Sequence, residues 1–568
     1  MGVQSTRNIP KETISSLDHA PWPEPGILLQ VRAGKVKKAA LGGEITSAIY
    51  KQEHDGPIFC TPTGFTGDEH ASSRHGGTER AVHQYNPDHY ADWQAESAPD
   101  PSLYDIGAYG ENMVTTSFNE ENVCIGDIFQ LGNEVLLEVS EPRHPCHKLN
   151  SRFQWQRALN RTIRTGRSGW NMRVLRTGTV CKGDRMSLLK RPFPQWSVLN
   201  VQRVIRARHV PLALLSECAQ LLPLTDLFLG LAKARLRETP KVYTLIDAKL
   251  VTGRVRKLTF ALKDDLTLAN PEFDPYGFAQ ITFGSSASRF LRSYSIVDGN
   301  LYKFSLGVSL DHQTRGGSAY LHNELKLGDE IEMAPGMNPG AQENDARCEK
   351  DGLTKTTRIV IVGGIGVTAF LPSIQDWERQ GLPYSIHYAV RSPEDAAFLD
   401  QLPAHKTTLY ASSRGERLDV GSIIPKPDDL NNGHKARIFS CGPARMMKEC
   451  ARITGQLGYP EHMVHFEDFG SGEGGILGEA FNVEVDEPDT NRHETLTVPA
   501  NKTLLDVLND AGFDILYSCK SGACGACKVK VCEGDIDYKS TALLAKEKGI
   551  ALQSCVDRGI GKLKIEVD

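Results

Sequence analysis

Residues 519–527 read Cys519-Lys-Ser-Gly-Ala-Cys524-Gly-Ala-Cys527, and a fourth cysteine follows at Cys555, giving C-x4-C-x2-C-x27-C. Two sulfide-bridged irons need four thiolates, and small residues between the first three let backbone N–H groups turn toward the sulfides. The spacing therefore predicts a plant-type 2Fe–2S cluster held by Cys519, Cys524, Cys527 and Cys555. A structural zinc site usually sets C-x2-C against a second close pair, which this stretch does not offer. Nothing in the sequence points to an oxidising compartment in which the four would pair as disulfides. Upstream, residues 496–499 read as a strand, and Leu504, Leu505, Val507, Leu508 and Ala511 fall at helical spacing that stops at Gly512. A one-electron carrier at the end of a long chain implies that electrons are delivered somewhere.

The 568 residues exceed what one core can organise and suggest roughly three to five domains. With 40% hydrophobic and 24% charged residues the composition is that of an ordinary globular protein. A net charge of −5 gives no support for nucleic-acid binding. The sequence has no apolar run of about 18 residues, so no membrane span is expected. Residues 1–13 carry neither a secretory core nor an arginine-rich transit pattern, which makes a cytoplasmic location the expectation. Polar or proline-bearing stretches near 190–200, 236–242, 337–357 and 470–480 mark candidate seams.

Between the last two seams the pattern is α/β. Arg358 to Val362 is a short β-branched run expected as a buried parallel strand, and it enters Gly363-Gly364-Ile365-Gly366-Val367-Thr368 before an apolar helix. Glycines after a strand let the backbone approach a pyrophosphate, and the helix start supplies N–H donors. Alone, this turn serves any tight strand-to-helix connection equally well. Tyr384 to Arg391 reads as the next strand, with Arg391-Ser392 where an adenosine ribose or phosphate would lie, and Ile438 to Ser440 leads to Cys441-Gly442-Pro443. Earlier, Arg292-Ser293-Tyr294-Ser295 lies in a β-rich stretch and Arg315-Gly316-Gly317-Ser318 follows. An arginine for a flavin phosphate, a tyrosine against the isoalloxazine and a glycine turn at a helix start make a coherent flavin site.

Residues 241–568, through R-x-Y-S, G-G-x-S, G-G-I-G-x-T, C-G-P and the four cysteines, resemble phthalate dioxygenase reductase and its relatives. The resemblance implies a flavin-binding antiparallel β-barrel (241–350), an α/β nucleotide-binding domain (351–475) and a β-grasp 2Fe–2S ferredoxin domain (476–568). It implies FMN and NADH as cofactors, with Arg292, Tyr294, Ser295, Gly316, Gly317 and Ser318 at the flavin. Gly364, Gly366, Thr368 and Arg391 would then lie at the nucleotide, and Cys441 near the nicotinamide. Arg391 weakens the family expectation of NADH over NADPH, because arginine can receive a 2′-phosphate.

The first 195 residues are different. They contain Gly67-Asp68-Glu69, Arg74-His75-Gly76-Gly77, Glu79-Arg80-Ala81-Val82, Tyr109-Gly110-Glu111-Asn112 and Glu141-Pro142-Arg143-His144-Pro145-Cys146-His147-Lys148. Alternation such as V-L-L-E-V predicts short strands. Arg143, His144, His147 and Lys148 crowd Cys146, and cationic neighbours favour the thiolate, a soft metal ligand. The residues alone equally suit a basic surface loop with a buried cysteine. The ordered set of motifs, however, resembles the MOSC domain, named after the molybdenum cofactor sulfurase C-terminus, and most of all the bacterial MOSC proteins that reduce N-hydroxylated bases.

That resemblance implies a β-rich MOSC barrel (1–195) with a three-helix appendage (196–240) and a molybdenum cofactor whose metal is ligated by Cys146. His75, Arg80, Asn112 and Arg143 would hold the pterin and its phosphate, and His75 or His144 would relay protons or serve the structure. The fusion implies a self-sufficient reductase of small N-hydroxylated substrates that needs no separate electron donor beyond NADH. Within one chain or across a homodimer, electrons would run from NADH through FMN and the 2Fe–2S cluster to molybdenum. Two other readings stay open: delivery of electrons to a separate oxygenase, and sulfur transfer by a persulfide on Cys146.

Overall fold

The computed structural model describes residues 9, 12–38, 45–72, 75–96, 98–146, 148–155, 157–285, 288–310, 316–426, 436–467, 469, 478–488, 492–500, 502–513, 515, 522, 527–540 and 543–567. The chain divides into two compact units, Met1–Thr239 with Leu266–Ala269, and Pro240–Asp265 with Asn270–Asp568.

The first unit is built on a closed sheet. Its strands follow the order Arg185–Lys190, Ile128–Leu131, Val135–Pro142, Trp170–Arg176, Val82–Gln84, Met113–Thr115 and Gly26–Ala33, and Gly26–Ala33 pairs back onto Arg185–Lys190. The expected alternation is present: Val135, Leu137 and Val139 are buried inside the barrel. Against one side packs an aromatic cluster of Tyr85, Tyr90, Trp93, Tyr104, Tyr109 and Phe153. Tyr85 stacks on Tyr109 with centroids 4.4 Å apart, and Trp93 Nε1 donates to the Tyr85 hydroxyl at 2.7 Å. Each such ring pair adds about 0.5–1.5 kcal/mol beyond its buried area, which makes this a stiff wall.

Three helices close the unit: Val198–Arg206, Leu212–Cys218 and Asp226–Glu238. Ser197 caps the first by accepting from Asn200 N at 3.1 Å. Val198, Val201 and Val204 turn its apolar face inward, and Val198 N donates to Val123 O at 2.8 Å, tying the helices to the barrel.

The second unit begins with a closed antiparallel barrel of six strands, ordered Lys241–Leu250, Val255–Leu262, Lys303–Ser309, Ser288–Asn300, Phe278–Ser285 and Glu330–Gly336. A five-stranded parallel sheet follows, ordered Thr407–Ala411, Tyr384–Val390, Thr357–Gly363, Ala436–Cys441 and Val464–Glu467. The stretch 337–357, expected as a seam, is mostly the helix Pro339–Lys350. Asn338 caps that helix, and Cys348 is buried against Ile361 and Ile438. Its polar outer face hid this from a reading of composition. Val255 and Val297 of the barrel share one buried cluster with Val360, Val367, Phe370 and Phe398, so barrel and parallel sheet pack as one body.

The last sheet orders Arg492–Val498, Phe481–Glu487, Arg558–Glu566, Lys528–Asp537 and Ala551–Gln553. The strand expected at 496–499 ends before Pro499, whose missing N–H cannot continue a ladder. The helix expected from residue 504 spans Leu504–Asp510 behind a Thr503–Asp506 capping box and stops before Gly512. Among the described residues no helix is long and apolar enough to cross a membrane.

Candidate functional site

The first unit holds a cavity of about 850 Å³ whose walls include Cys146, His75, Arg80, Asn112 and Arg143. These five and His144, all singled out in that unit, therefore meet in one place, drawn from three separated stretches of chain, 75–80, 112 and 143–146. Pro142 ends the strand Val135–Pro142, and the extended stretch after it carries Arg143 and Cys146 to the mouth of the barrel, just ahead of the helix Lys148–Arg152. Arg80 comes from the turn before Val82–Gln84, and Asn112 directly precedes Met113–Thr115. Tyr109 of the aromatic wall also faces the cavity, and the Arg143 guanidinium carbon sits 5.9 Å from its ring centroid.

The five are not equally available. Asn112 Nδ2 donates to Arg32 O at 3.1 Å and to Asp68 Oδ2 at 2.9 Å, while its Oδ1 accepts from His83 N at 3.2 Å. Its amide thus braces the wall. Arg80 is clamped in a fork by Glu141, through Nε to Oε1 and through Nη2 to Oε2 at 3.0 Å. Glu141 is fully buried and also accepts from Asn171 Nδ2 at 2.8 Å and from Thr225 Oγ1. Arg143 differs: its Nη1 is buried with no hydrogen-bond partner among the described residues. A buried charged donor left unmatched costs more than the ~1–3 kcal/mol of a neutral one, so an acceptor belongs there.

Two lysines and one further carboxylate, Glu69, also line the cavity. Lys51 is buried and pairs with Asp68, its Nζ lying 2.6 Å from Oδ2, and burial lowers its ammonium from the usual lysine range despite that partner. Lys148 Nζ donates to Thr46 O at 2.7 Å. The cavity's histidines are held neutral. His83 is buried and pushed well below the usual range by burial first and then by Arg143. His75 stands exposed at the rim; the protein packed around it, then Lys148, Arg143, His70 and Arg80, still lower its imidazole. His144 is likewise exposed, yet the protein packed around it and then Arg206 lower its imidazole, and its ring meets Phe228 edge-on at 6.2 Å. A soft sulfur donor, a buried Arg143 Nη1 that has no acceptor among the described residues and the Lys148 ammonium suit a metal carried on an anionic organic cofactor.

In the second unit Arg292 and Tyr294 lie two residues apart on Ser288–Asn300 and so share a face, with Ser295 on the other. Gly317 sits against Arg292: a Cβ there would lie 3.2 Å from its Nε. The strand arginine and the Gly316-Gly317-Ser318 turn thus form one cradle, with Gly316 in the left-handed region (φ 81°) at the head of the short helix Gly317–Asn323. Arg315 falls outside the described residues. Burial pushes the Tyr294 phenol up to about 12, with Arg292 pulling the other way. An aromatic face, a guanidinium and a glycine turn fit a flavin and its phosphate.

The nucleotide loop is equally tight. Gly364–Ala369 forms a 3₁₀ turn before the helix Leu371–Arg379, and a Cβ on Gly366 would lie 2.3 Å from Cys441 O. The G-G-I-G and C-G-P motifs therefore press backbone on backbone, between strands Thr357–Gly363 and Ala436–Cys441. Chain order reverses across this pair, the crevice where open α/β sheets bind their ligands. Thr368 is buried and its Oγ1 donates to Ile365 O at 2.9 Å, while Arg391 is exposed at the end of the neighbouring strand. In the last sheet Cys527 and Cys555 share one buried cluster, with Cys527 Sγ 3.3 Å from Gln553 Oε1. Cys519 and Cys524 fall outside the described residues.

Sequence reasoning missed Lys51, His70, His83 and Leu227 as parts of the cavity wall. Lys51 and Leu227 stand in no recognisable motif, and only folding brings them to the cavity. His83 was within reach, since it directly follows Val82 and a histidine inside a strand beside a basic motif is unusual.

Residues 71–187 match the family model described as MOSC domain, and residues 487–556 match the 2Fe-2S iron-sulfur cluster binding domain. A protein of Gibberella moniliformis named "Reductase" is 73% identical over 568 residues, all of both chains. The phthalate dioxygenase reductase of Burkholderia cepacia is 27% identical over 277 residues, 47% of this chain and 80% of that one. The heme-dependent oxidative N-demethylase beta subunit of Ectopseudomonas mendocina is 27% identical over 327 residues, 56% of this chain and 97% of that one. The chain is thus an oxidoreductase with an NAD(P)H, flavin and 2Fe–2S electron-transfer module. It belongs to the family of the Gibberella reductase, in which a MOSC domain is fused to a module of the phthalate dioxygenase reductase type.

Proposed function

We propose that this chain is a cytoplasmic, self-sufficient, molybdenum-dependent reductase of small N-hydroxylated compounds, taking electrons from NADH by way of FMN and the 2Fe–2S cluster. The observation that carries the reading is the cavity of the first unit, which Cys146 lines together with Arg143, whose buried Nη1 has no acceptor among the described residues. Cys146 Sγ would ligate the metal, and Arg143, with Arg80 and Lys148 behind it, would take the phosphate of the pterin. Bound there, molybdenum supplies a two-electron centre that accepts the oxygen of an N–O bond, which leaves as water.

The protein's own part is position and charge. Glu141 fixes the Arg80 fork, and Asn112 with Asp68 holds the facing wall and Lys51. His75 is neutral at the rim, so it presents one N–H and one lone pair and passes a proton without adding to the cationic field. In the second unit Arg292, Gly316, Gly317 and Ser318 would hold the flavin phosphate, and Gly364 and Gly366 would admit the dinucleotide backbone. Cys519, Cys524, Cys527 and Cys555 would hold the cluster. Having donor and acceptor sites in one polypeptide replaces a partner's affinity with an effective concentration.

The test is anaerobic NADH oxidation with a panel of hydroxylamines, hydroxamates and amidoximes, on protein whose molybdenum has been quantified. Turnover proportional to molybdenum content is expected. Cys146→Ser should abolish it while NADH-driven ferricyanide reduction continues, because the second unit is untouched. Full turnover by Cys146→Ser would refute the assignment. A second reading rests on the name borne by the Burkholderia relative, phthalate dioxygenase reductase: the chain would deliver electrons to a separate oxygenase. Molybdenum-replete protein that reduces its flavin readily yet turns over no N-hydroxylated compound would favour it.

A further inference from the structure

We propose that the nucleotide site admits NADPH as well as NADH, with the 2′-phosphate received between Arg391 and Arg414. The inference rests on the reading that the dinucleotide enters at the Gly364–Gly366 turn. In a doubly wound sheet the adenosine ribose lies over the end of the strand beside that turn, and the residues there decide between the two cofactors. A carboxylate accepts from a free 2′-hydroxyl, whereas arginine receives a 2′-phosphate.

Here the strand Tyr384–Val390 ends in Arg391, and its outer neighbour Thr407–Ala411 ends in the 3₁₀ turn Ser412–Arg414. The two ends are laced together: Ser413 N donates to Arg391 O at 2.8 Å and Ser412 Oγ donates to the same oxygen at 3.3 Å. Arg391, Ser412, Ser413 and Arg414 are all exposed. Among the described residues Arg391 and Arg414 form no ion pair, so both guanidiniums are available to a doubly charged group.

The nearby carboxylates have other work. Asp395 accepts from Ser392 N at 3.3 Å and from Ser392 Oγ at 3.1 Å. Glu416 Oε2 accepts from Ala411 N at 3.2 Å. Glu394 bonds Ser392 and its own backbone, with Arg414 near enough to draw its carboxyl further down. Among the described residues the carboxylates beside the two strand ends are thus engaged within the protein, and two exposed arginines with serine hydroxyls beside them suit a phosphate.

Two measurements on the full-length holoprotein test this. The first is kcat/KM for NADPH and NADH with ferricyanide as acceptor; the two values are expected within tenfold of each other. Arg414→Asp should lower the NADPH-to-NADH ratio at least tenfold, and Arg391→Ser should lower it in the same direction. A wild-type NADPH-to-NADH ratio below one tenth, or an Arg414→Asp enzyme with an unmoved ratio, would overturn the proposal. The second is calorimetric binding of 2′,5′-ADP against 5′-ADP. At least tenfold tighter binding of 2′,5′-ADP supports the subsite even if hydride transfer fails, which would fault the electron-entry reading instead. Equal binding of the two overturns it.

Discussion

Replacing Gly366 by alanine tests whether the nucleotide loop works through closeness of backbone. The added carbon would lie 2.3 Å from Cys441 O, 2.6 Å from Cys441 C and 3.0 Å from Gly442 N. Non-bonded carbon contacts are comfortable at about 3.5 Å, so the loop and the end of Ala436–Cys441 must part by roughly 1 Å. Neither side can yield through a flexible side chain. Both are main chain, and the two strands are held in register from Thr357 opposite Ala436 to Val362 opposite Cys441. A misplacement of about 1 Å at a reacting pair costs on the order of a hundredfold in rate, or about 2.7 kcal/mol of barrier.

Gly364→Ala is the matched control. Gly364 is in the left-handed region (φ 55°), but nothing lies within 4 Å of the position its Cβ would take. Alanine there incurs the left-handed penalty of about 1–2 kcal/mol, which falls on stability rather than on the geometry of the crevice. Anaerobic stopped-flow bleaching of the flavin by NADH should therefore slow about a hundredfold in Gly366→Ala and less than tenfold in Gly364→Ala. Bleaching by Gly366→Ala within threefold of wild type, or a reversed ranking of the two, would refute the reasoning.

Three further outcomes follow from the first unit. Glu141→Gln leaves the largely buried Arg80 without its counter-charge and should cost about 3 kcal/mol. In a unit of this size that is roughly 6–12 °C off its calorimetric transition, and a shift under about 2 °C would mean that Glu141 does not hold the wall. Arg143→Met removes a buried donor that lacks a partner, so molybdenum-free protein should melt at the same temperature or higher. Purified Arg143→Met should retain less molybdenum, and undiminished metal content would contradict the anion role. His83, His144 and His75 all sit below the ordinary histidine value of 6.5 in the folded chain. The unfolded chain therefore takes up protons as pH falls through about 6.5 while the folded chain does not. Melting temperature should be nearly flat from pH 8 to 7 and fall below about 6.5; a rise on acidification would contradict the assignment.

What was legible in the sequence is what chemistry confines to a short stretch. The cluster cysteines have to sit within one loop, and a pyrophosphate turn needs its glycines beside a strand, so spacing alone exposes both. The cavity of the first unit is different, because its wall is assembled across more than a hundred residues. Arg80 and Glu141 are 61 residues apart, and Asn112 and Asp68 are 44 apart. Each pair follows from barrel closure, which no local pattern encodes. The seam expected at 337–357 failed for a related reason: Cys348 anchors the helix Pro339–Lys350 inward while the rest of its surface reads as polar linker.

The three helices after residue 196 show most plainly where segmentation by sequence and by physics part. They read as an appendage, since their periodicity is self-contained. Yet Thr225, just before the last helix, donates its hydroxyl to Glu141, the carboxylate that clamps Arg80, and its N–H reaches Ser140 O at 3.3 Å. One turn on, Leu227 faces the cavity and Phe228 meets His144. A fully buried carboxylate with four donors around it is stable only if all of them stay. Detaching the helices would therefore strip Glu141 of one donor and the cavity of part of its wall. By this argument the helices are a structural side of the site, and a protein shortened before residue 196 should lose the cavity along with them.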